Sequence, residues 1–463
     1  MRKLCTKNVV PLWIILTAMF LLSPSNKNLL AQSGKLSHKE REISNWAPGT
    51  KAAIDSVIKK NAGNESAYAV FDWDNTSIYA DVQDNLFIYQ LENLAFKMTP
   101  GEFRYSFTHY TDTGYKDNLL IPSKNFVSPY VSVDGKPINI NLIAEDCYND
   151  YKYFYENYRR INPKSVNNLS LNKLKQTDQF KDFKAKMWFT YSAIEDSFSP
   201  NAAYTWVMYV TYPGFTSEEV KIMVKQAMDC GIKRESKKVY FDSPASLPGK
   251  VGAVSNTNAG NYFCNTIRPT HEMGLLFKEL EKNNIHTYIC TASMQEIIET
   301  VATTPKYGYN LPEHHVLGLR LVKDAGGKFL PKYDISGDYT INSMAGKAIN
   351  INKILAAKYH ANPVMIGGDS DGDYYMMTQL SGLAGEKMIN DYKPLQLILV
   401  VNRIKGGKIG KICKIAADQL AGESAGATTV VLQGRDENMG AWIPTEKTLK
   451  LGKSGPENLK LLP

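Results

Sequence analysis

The chain has 463 residues, of which 43% are hydrophobic and 22% are charged. This composition is typical of a globular protein with a large core and excludes extensive disorder, and the length suggests about two or three domains. The net charge of +8 comes from dispersed lysines. It predicts a surface that attracts anionic substrates and gives no indication of nucleic-acid binding.

The first residues predict an export signal. Arg2, Lys3 and Lys7 precede a mostly apolar run, Val9 to Leu22, that is shorter than the ~20 residues of a membrane-spanning helix. Cleavage after Ala31 fits the end of a signal peptide. We therefore expect an exported protein, periplasmic or secreted, without a stable membrane anchor. An uncleaved N-terminal anchor is the alternative.

The cysteines do not indicate a disulfide framework. Cys5 would leave with the signal, and the remaining odd number has irregular spacing and lacks a CxxC pair, which argues against a thiolate zinc site. Cys290 lies within an apolar run and is predicted to be buried. Cys230 and Cys264 could form a disulfide or could both remain thiols.

The first strong pattern is a short apolar run that ends in two acids. The residues of Ala69–Phe71 predict a buried strand, and Asp72 and Asp74 follow it. Strand alternation places Asp72 and Asp74 on one side and Trp73 on the other. Ligands bind at this end of the strands in open α/β sheets, and two close carboxylates require a cation or a shared proton. A strand followed by an Asx turn is the alternative interpretation.

The next segment is rich in aromatic residues and has helical spacing. Apolar residues recur at helical intervals from Tyr79 to Phe96, Thr99 and Glu102 resemble a capping box, and Thr216–Glu219 begins another helix. The segment contains no internal repeat. We predict that residues 81–266 form a mostly helical domain inserted into a different one.

An α/β pattern resumes at Met273. Strand, helix and strand at this spacing predict a parallel sheet with right-handed crossovers, which extends close to the C-terminus. The stretch between the second and third predicted helices is less regular. In chain order, the predicted elements are a helix over Leu275–Leu280, a strand over Ile285–Cys290, helices over Gln295–Thr303 and Lys347–Leu355, and strands over Pro363–Ile366, Leu397–Asn402 and Thr428–Leu432.

Polar residues follow two of these strands, as they follow the first. Thr291, Ala292 and Ser293 come after one strand, and the acidic run Gly368–Asp373 comes after another. Lys347 begins a helix. Three strand ends therefore carry acids or a hydroxyl group, and one helix start carries a lysine.

These four motifs resemble those of the haloacid-dehalogenase superfamily. Asp72–Thr76 (DWDNT), Thr291, Lys347 and Gly368–Asp373 (GDSDGD) occur in the order of that superfamily, each on the expected element. Within it, the DxDNT form and the large insertion resemble phosphorylcholine phosphatase and phosphoserine-phosphatase-like members. The resemblance implies an α/β fold with a Rossmann-like parallel sheet, formed by residues 32–80 and 267–463, and a large, mostly helical cap domain between the first and second motifs.

The resemblance also implies a phosphomonoester hydrolase. Asp72 would attack phosphorus and form an aspartyl-phosphate, while Asp74 would protonate the leaving alcohol and later deprotonate the hydrolytic water. Thr291 would bind a phosphoryl oxygen, and Lys347 would offset the negative charge of the transition state.

A magnesium ion is implied by the same resemblance. Asp72, the main-chain carbonyl of Asp74 and Asp369 would hold Mg²⁺, which prefers oxygen ligands. Asp373 would orient Lys347 or a metal-bound water. Asp371 fills an extra acidic position, so the division of roles among the acids of this loop is open.

The inserted domain is expected to determine specificity. Four of its aromatic residues could enclose a quaternary ammonium group by cation–π attraction, or could pack the core of that domain. Phosphorylcholine or a similar small amino-alcohol phosphate is the predicted substrate. Phosphoserine or broad acid-phosphatase activity, or a non-catalytic headgroup-binding protein, are the alternatives. The predicted substrate-binding residues are Thr291, Ala292, Ser293, Trp188, Tyr191, Tyr204 and Trp206.

Overall fold

The computed structural model describes residues 45–108, 127–197, 200–247, 249–455 and 459–461. All the elements belong to one compact unit, Trp46–Pro463. The predicted signal peptide lies outside the described residues. The strands are β1 (Tyr68–Phe71), β2 (Ile78–Tyr79), β3 (Val127–Val131), β4 (Pro137–Asn139), β5 (Lys238–Val239), β6 (Phe263–Cys264), β7 (Arg268–Pro269), β8 (His286–Met294), β9 (Val316–Leu319), β10 (Leu321–Lys323), β11 (Phe329–Tyr333), β12 (Met365–Gly368), β13 (Leu397–Val401), β14 (Thr429–Gln433), β15 (Arg435–Asp436), β16 (Ala441–Trp442), β17 (Thr448–Leu449) and β18 (Leu459–Lys460).

The helices are α1 (Pro48–Asn61), α2 (Val82–Asn93), α3 (Pro100–Thr108), α4 (Ile140–Asn157), α5 (Leu171–Leu174), α6 (Asp178–Ser197), α7 (Pro200–Thr211), α8 (Ser217–Gly231), α9 (Asn256–Ala259), α10 (His271–Lys282), α11 (Gln295–Thr303), α12 (Ala345–Asn350), α13 (Ala357–Tyr359), α14 (Tyr374–Thr378) and α15 (Gly407–Leu420). The helices α1, α10, α11, α12, α14 and α15 pack in the two clusters that contain β1, whereas α3, α4 and α6 pack in a third cluster. The helix that begins with α12 continues through a π-helical segment, Ile351–Ala356, into α13.

Six strands form the central sheet in the order β14-β13-β12-β1-β8-β9, and each neighbouring pair is parallel. Phe71 at the end of β1 is level with Gly367 on one side and Ile289 on the other. The chain progresses in opposite directions from β1 and from β12, so the boundary between them is the switch point at which doubly wound sheets bind ligands.

The sheet is buried on both faces, which explains its continuous apolar strands. Alternate residues of β1 enter different hydrophobic clusters: Ala69 and Phe71 pack with α1, α10 and α11, whereas Tyr68 and Val70 pack with α12, α14 and α15. Because burial of each large apolar side chain contributes about 1.5–3 kcal/mol, these two clusters fix the position of the strand ends.

The segment between β1 and β8 is mostly helical, as predicted, and has a hydrophobic cluster of its own. Phe103 of α3 stacks on Tyr151 of α4 with the ring centroids 4.5 Å apart, and Phe183 of α6 packs against both. Residues of α7 and α8 also pack in the cluster that contains β1. The predicted boundaries at residues 81 and 266 stay a prediction. Among the described helices, none combines the length and apolarity of a membrane span.

The irregular stretch of the sequence contains structure that the prediction missed. Val316–Leu319 forms the edge strand β9, and β10 and β11 pair as a hairpin. By contrast, α11 has the predicted bounds, and the predicted capping box forms, because Glu102 accepts a hydrogen bond from the amide of Thr99. A helix also begins at Thr216 as predicted, with Thr216 as the cap of α8. Cys264 is a free thiol, so it forms no disulfide with Cys230.

Candidate active site

Two carboxylates meet where β1 and β12 end. The amide of Asp72 donates to the carbonyl of Gly367 (2.9 Å), which extends the strand pairing by one residue and brings Asp72 level with Gly368, next to Asp369. The hydroxyl of Thr76 donates to Oδ1 of Asp369 (3.0 Å) and to Oδ2 of Asp72 (3.3 Å). Asp72 is 6% exposed and Asp369 is 2% exposed. Two acids from segments far apart in the chain are thereby held side by side.

A buried lysine lies between these acids and a third one. Nζ of Lys347 donates to Oδ1 of Asp72 and to Oδ1 of Asp373, each at 2.7 Å. The other oxygen of Asp373 accepts from the amides of Asp369 (3.0 Å) and Ser370 (3.1 Å). Burial alone would lower the pKa of Lys347, but the carboxylates of Asp373 and Asp72 raise it. Lys347 is therefore a fixed positive charge.

Asp74 has neutral hydrogen-bond donors instead of a cation. Its carboxyl accepts from the hydroxyl of Ser293 (2.6 Å) and from the amide of Val82 (2.8 Å). Burial and the nearby carboxylate of Asp81 raise the pKa of Asp74 well above its usual value. The amide of Ser293 in turn donates to the hydroxyl of Thr291 (3.1 Å). Asp74 can therefore hold a proton that Asp369 cannot, because Arg403 and Lys405 lower the pKa of Asp369 although burial alone would raise it.

Asp72, Asp369 and Asp373 form an acidic cluster. Each offers one carboxylate oxygen, and these three atoms lie within 4.8 Å of one another. Burial, and then the charge of Asp373, raise the pKa of Asp72 well above its usual value. An all-oxygen donor set of this kind fits a hard divalent cation. The carboxyl of Asp74 contacts Ser293 and is not part of this cluster. The ligand role predicted for the main-chain carbonyl of Asp74 stays a prediction.

The motif residues line one cavity of about 740 Å³. Its wall also contains residues that the sequence did not single out: the acids Asp81, Asp84 and Glu195, and Arg403 with Lys405 near Asp369. The remaining lining residues are Asp72, Asp74, Asn75, Tyr191, Tyr204, Thr291, Ala292, Ser293, Met344, Lys347, Asp369, Ser370, Asp371, Gly372, Gly406 and Gly407.

The four aromatic candidates of the inserted segment lie in three different places. Tyr191 and Tyr204 line the cavity, and the hydroxyl of Tyr204 donates to Asp81. Their predicted contact with substrate stays a prediction. Trp188 lines a neighbouring cavity of about 310 Å³. Trp206 lines neither cavity; it is fully buried in the helical core, with its ring centroid 5.1 Å from that of Phe107.

The lining residues that the sequence did not single out differ in how far local sequence could have indicated them. Lys405 is exposed and lines the cavity. The sequence could have indicated Asp81 and Asp84 as site residues, because they follow the DWDNT motif closely and begin α2. It could not have indicated Glu195 and Arg403, since neither belongs to a local motif.

Fold and site together define the class: the protein is a phosphatase of the haloacid-dehalogenase type. A doubly wound sheet carries the DWDNT motif after β1, Thr291 within the second half of β8 and the acidic loop after β12, with Lys347 at the start of α12. The strand predicted to end at Cys290 thus extends to Met294. No family model matches the chain.

The comparisons with known proteins agree with this class. The chain is 23% identical to phosphorylcholine phosphatase of Pseudomonas aeruginosa in an alignment of 357 residues. This alignment covers 73% of this chain and 77% of that protein. The present chain belongs to the same family as a conserved, functionally unknown protein from Anaerococcus prevotii DSM 20548. The crystal structure of that protein matches at 30% identity with a TM-score of 0.74, over 89% of this chain and 99% of the other. A phosphoserine phosphohydrolase-like protein from Francisella tularensis, at 12% identity and a TM-score of 0.31, is too distant to support more.

Proposed function

We propose that this phosphatase hydrolyses phosphate monoesters of small cationic alcohols, through an aspartyl-phosphate on Asp72 and with Mg²⁺. The observation that carries the proposal is the set of charged and aromatic side chains in the cavity wall. Lys347 with the acidic cluster forms one group, and three further acids with two tyrosines form another. The first group suits a phosphate with a divalent cation, and the second suits an ammonium group.

In the first step, a carboxylate oxygen of Asp72 attacks phosphorus and the bond to the alcohol oxygen breaks. The leaving alkoxide takes a proton from Asp74, whose raised pKa keeps that proton available. Lys347 and the hydroxyl of Thr291 would bind phosphoryl oxygens as their charge increases.

In the second step, Asp74, now ionised, takes a proton from a water molecule that attacks phosphorus. The bond between phosphorus and Asp72 breaks, and inorganic phosphate leaves. Mg²⁺, held by Asp72, Asp369 and Asp373, would neutralise phosphate charge and so permit an anionic nucleophile to approach.

The second group of lining residues supports a cationic alcohol. Asp81, Asp84 and Glu195 bring three carboxyl groups to the cavity wall, and the rings of Tyr191 and Tyr204 lie beside them. Burial raises the pKa of both aspartates, and the charge of Asp81 raises that of Asp84 further. A bound ammonium group would relieve this repulsion. The similarity to phosphorylcholine phosphatase makes phosphorylcholine the preferred substrate.

Phosphoserine is the second candidate substrate. Arg403 and Lys405 line the same cavity and could bind a carboxylate. Arg403 already donates to Oδ2 of Asp369 at 2.6 Å, which leaves Lys405 as the better-placed cation for that purpose. A substrate with both an ammonium and a carboxylate would therefore use both sets of lining residues.

The test compares phosphorylcholine with its uncharged carbon isostere, 3,3-dimethylbutyl phosphate, and with phosphoserine. Wild type should prefer phosphorylcholine over the isostere by about tenfold in kcat/KM, because a cation–π and carboxylate site contributes about 1–2 kcal/mol. Asp84→Asn should reduce that preference, whereas Asp229→Asn, an exposed acid outside the cavity, should not.

Asp72→Asn should abolish turnover of all three esters, because an amide does not form the acyl phosphate. If wild type and Asp72→Asn release phosphate equally slowly, the protein does not act through this site. If wild type hydrolyses phosphorylcholine and the isostere with equal kcat/KM, the cationic-alcohol specificity is wrong. Higher kcat/KM for phosphoserine would favour the second candidate.

A further inference from the structure

A small sheet near the C-terminus reaches the turn that carries the nucleophile motif. Its strands have the order β16-β15-β17-β18, and Arg435 of β15 is 3% exposed. One terminal nitrogen of Arg435 donates to the main-chain carbonyl of Asn75 (3.1 Å), and the other donates to the side-chain Oδ1 of Asn75 (3.2 Å). A single guanidinium group thus holds both acceptors of one residue, which lies between Asp74 and Thr76.

Asn75 occupies the left-handed region, with φ of 63°, which asparagine tolerates better than most residues. Immediately after it the turn closes tightly, because the amides of Thr76, Ser77 and Ile78 all donate to the carbonyl of Trp73. On one side of Asn75, Asp74 points to Ser293; on the other side, Thr76 points to Asp72 and Asp369. The orientation of Asn75 therefore determines the directions of the Asp74 and Thr76 side chains.

Arg435 is itself fixed by buried partners. Oε1 of Glu437 accepts from two nitrogens of Arg435 (2.9 and 3.3 Å) and from Nζ of Lys450 (3.0 Å). Although burial opposes ionisation, Arg435 and Lys450 lower the pKa of Glu437 to about 2. The guanidinium also lies 5.0 Å from the ring centroid of Tyr79. Since a buried ion pair adds little net stability but fixes one geometry, this arrangement favours a positioning role.

We infer that Arg435 is a positioning residue for the proton transfer by Asp74. It holds Asn75, and through Asn75 it keeps the Asp74 carboxyl at the distance from the alcohol oxygen at which a proton can move. This inference rests on the proposed function, because the proton goes to the leaving alcohol. Misplacement of the Asp74 carboxyl should lower kcat most for esters whose leaving alcohol depends most on receiving that proton.

The test variant is Arg435→Lys, which keeps a positive charge beside Glu437 but loses the planar fork that reaches both acceptors of Asn75. The kcat for phosphorylcholine, an alkyl ester with a poor leaving group, should fall about 10- to 100-fold. The kcat for p-nitrophenyl phosphate, whose phenolate leaves with little help from a proton, should fall less than about threefold. The KM values should stay within about twofold of wild type, because Arg435 does not contact the phosphate.

The matched control is Lys450→Met, which removes the other cation from Glu437 without a contact to Asn75. Its ratio of the two kcat values should equal that of wild type. Equal losses on both esters in Arg435→Lys, or the same ratio in both variants, would show a merely structural role and overturn the inference.

Hydrogen exchange provides a readout that is independent of turnover. In Arg435→Lys, amides in a peptide that covers residues 72–80 should exchange about tenfold faster than in wild type, and in Lys450→Met they should not. Unchanged exchange in Arg435→Lys would overturn the inference. If wild type hydrolyses neither ester, the proposed function fails, while the exchange result still shows whether Arg435 holds the turn.

Discussion

At the level of single residues, the carboxyl groups of the site differ in pKa because they have different partners. Asp369 has the Arg403 guanidinium, and its pKa is lowered. Asp74 has a hydroxyl and an amide, and its pKa is raised. Pairs of acids whose environments move their pKa values apart are the usual basis for distinct roles in acid–base catalysis.

A second buried charge cluster lies in the helical segment, away from the cavity. Nζ of Lys186 contacts Asp146 (2.9 Å) and Asp182 (2.8 Å), and all three side chains are buried. Burial and the charge of Asp182 raise the pKa of the neighbouring Asp150 to about 9. Asp150 therefore keeps its proton in the folded protein across the neutral range.

This predicts a pH-dependent stability. In the unfolded chain Asp150 ionises near pH 3.9, so between about pH 4 and 9 unfolding releases a proton and the free energy of unfolding falls as pH rises, by at most about 1.4 kcal/mol per pH unit. The Asp150→Asn variant has no such proton to release. Its free energy of unfolding, relative to that of wild type, should therefore increase as the pH rises from 5 to 9. Urea unfolding at both pH values measures the difference.

The control for this prediction is Asp55→Asn, which replaces an exposed acid on α1. Its stability should follow the wild-type pH dependence. If the difference between Asp150→Asn and wild type is the same at pH 5 and pH 9, Asp150 is ionised in the folded state and the prediction is wrong.

At the level of elements, the start of α12 is the most constrained point of the site. Met344, which lines the cavity, has φ of 49° and ψ of −123°, a conformation that costs about 1–3 kcal/mol outside glycine. Gly346 follows at a point where an added Cβ would lie 1.9 Å from the carbonyl oxygen of Ile341. The position of Lys347 depends on this close approach.

Gly346→Ala should therefore destabilise the protein by about 2 kcal/mol or more, as overpacking does, and should lower kcat because Lys347 moves with the backbone. Thermal unfolding and phosphate release measure the two effects. The matched substitution is Gly101→Ala, also at the second residue of a helix, where an added Cβ meets nothing within 4 Å. It should stabilise by about 0.5–1 kcal/mol and leave kcat unchanged. Equal effects of the two substitutions would contradict the steric argument.

At the scale of the whole molecule, the sheet brings the ends of β1 and β12 together, and the acidic cluster lies across that junction. Folding therefore gathers three carboxylates that repel one another. A cation that binds only the folded protein should stabilise the entire unit.

Adding Mg²⁺ to protein prepared in EDTA should raise the melting temperature, with about 2.7 kcal/mol of stabilisation at a free concentration near 100 times Kd. Scanning calorimetry measures the shift. Asp369→Asn, which removes one charge of the cluster, should reduce it. The same melting temperature in Mg²⁺ and EDTA would show that the cluster does not bind the ion.

The sequence by itself determined the elements that local pattern encodes. The apolar run before Asp72, the bounds of α11 and the capping box at Thr99 were predictable, because strand alternation, helical spacing and cap hydrogen bonds involve residues close in the chain. The four motifs were recognisable for the same reason. The edge strand β9 was missed, since its four residues, VLGL, carry no alternation.

Only the tertiary structure decided which distant residues share a surface. Arg403 reaches Asp369, Glu195 faces the cavity, and Arg435 holds Asn75 from 360 positions away in the chain. Trp206 is aromatic and lies on the same helix as the cavity-lining Tyr204, yet it turns into the helical core. Local spacing sets the direction of a side chain relative to its own helix or strand, whereas the packing of elements against one another decides what that direction meets.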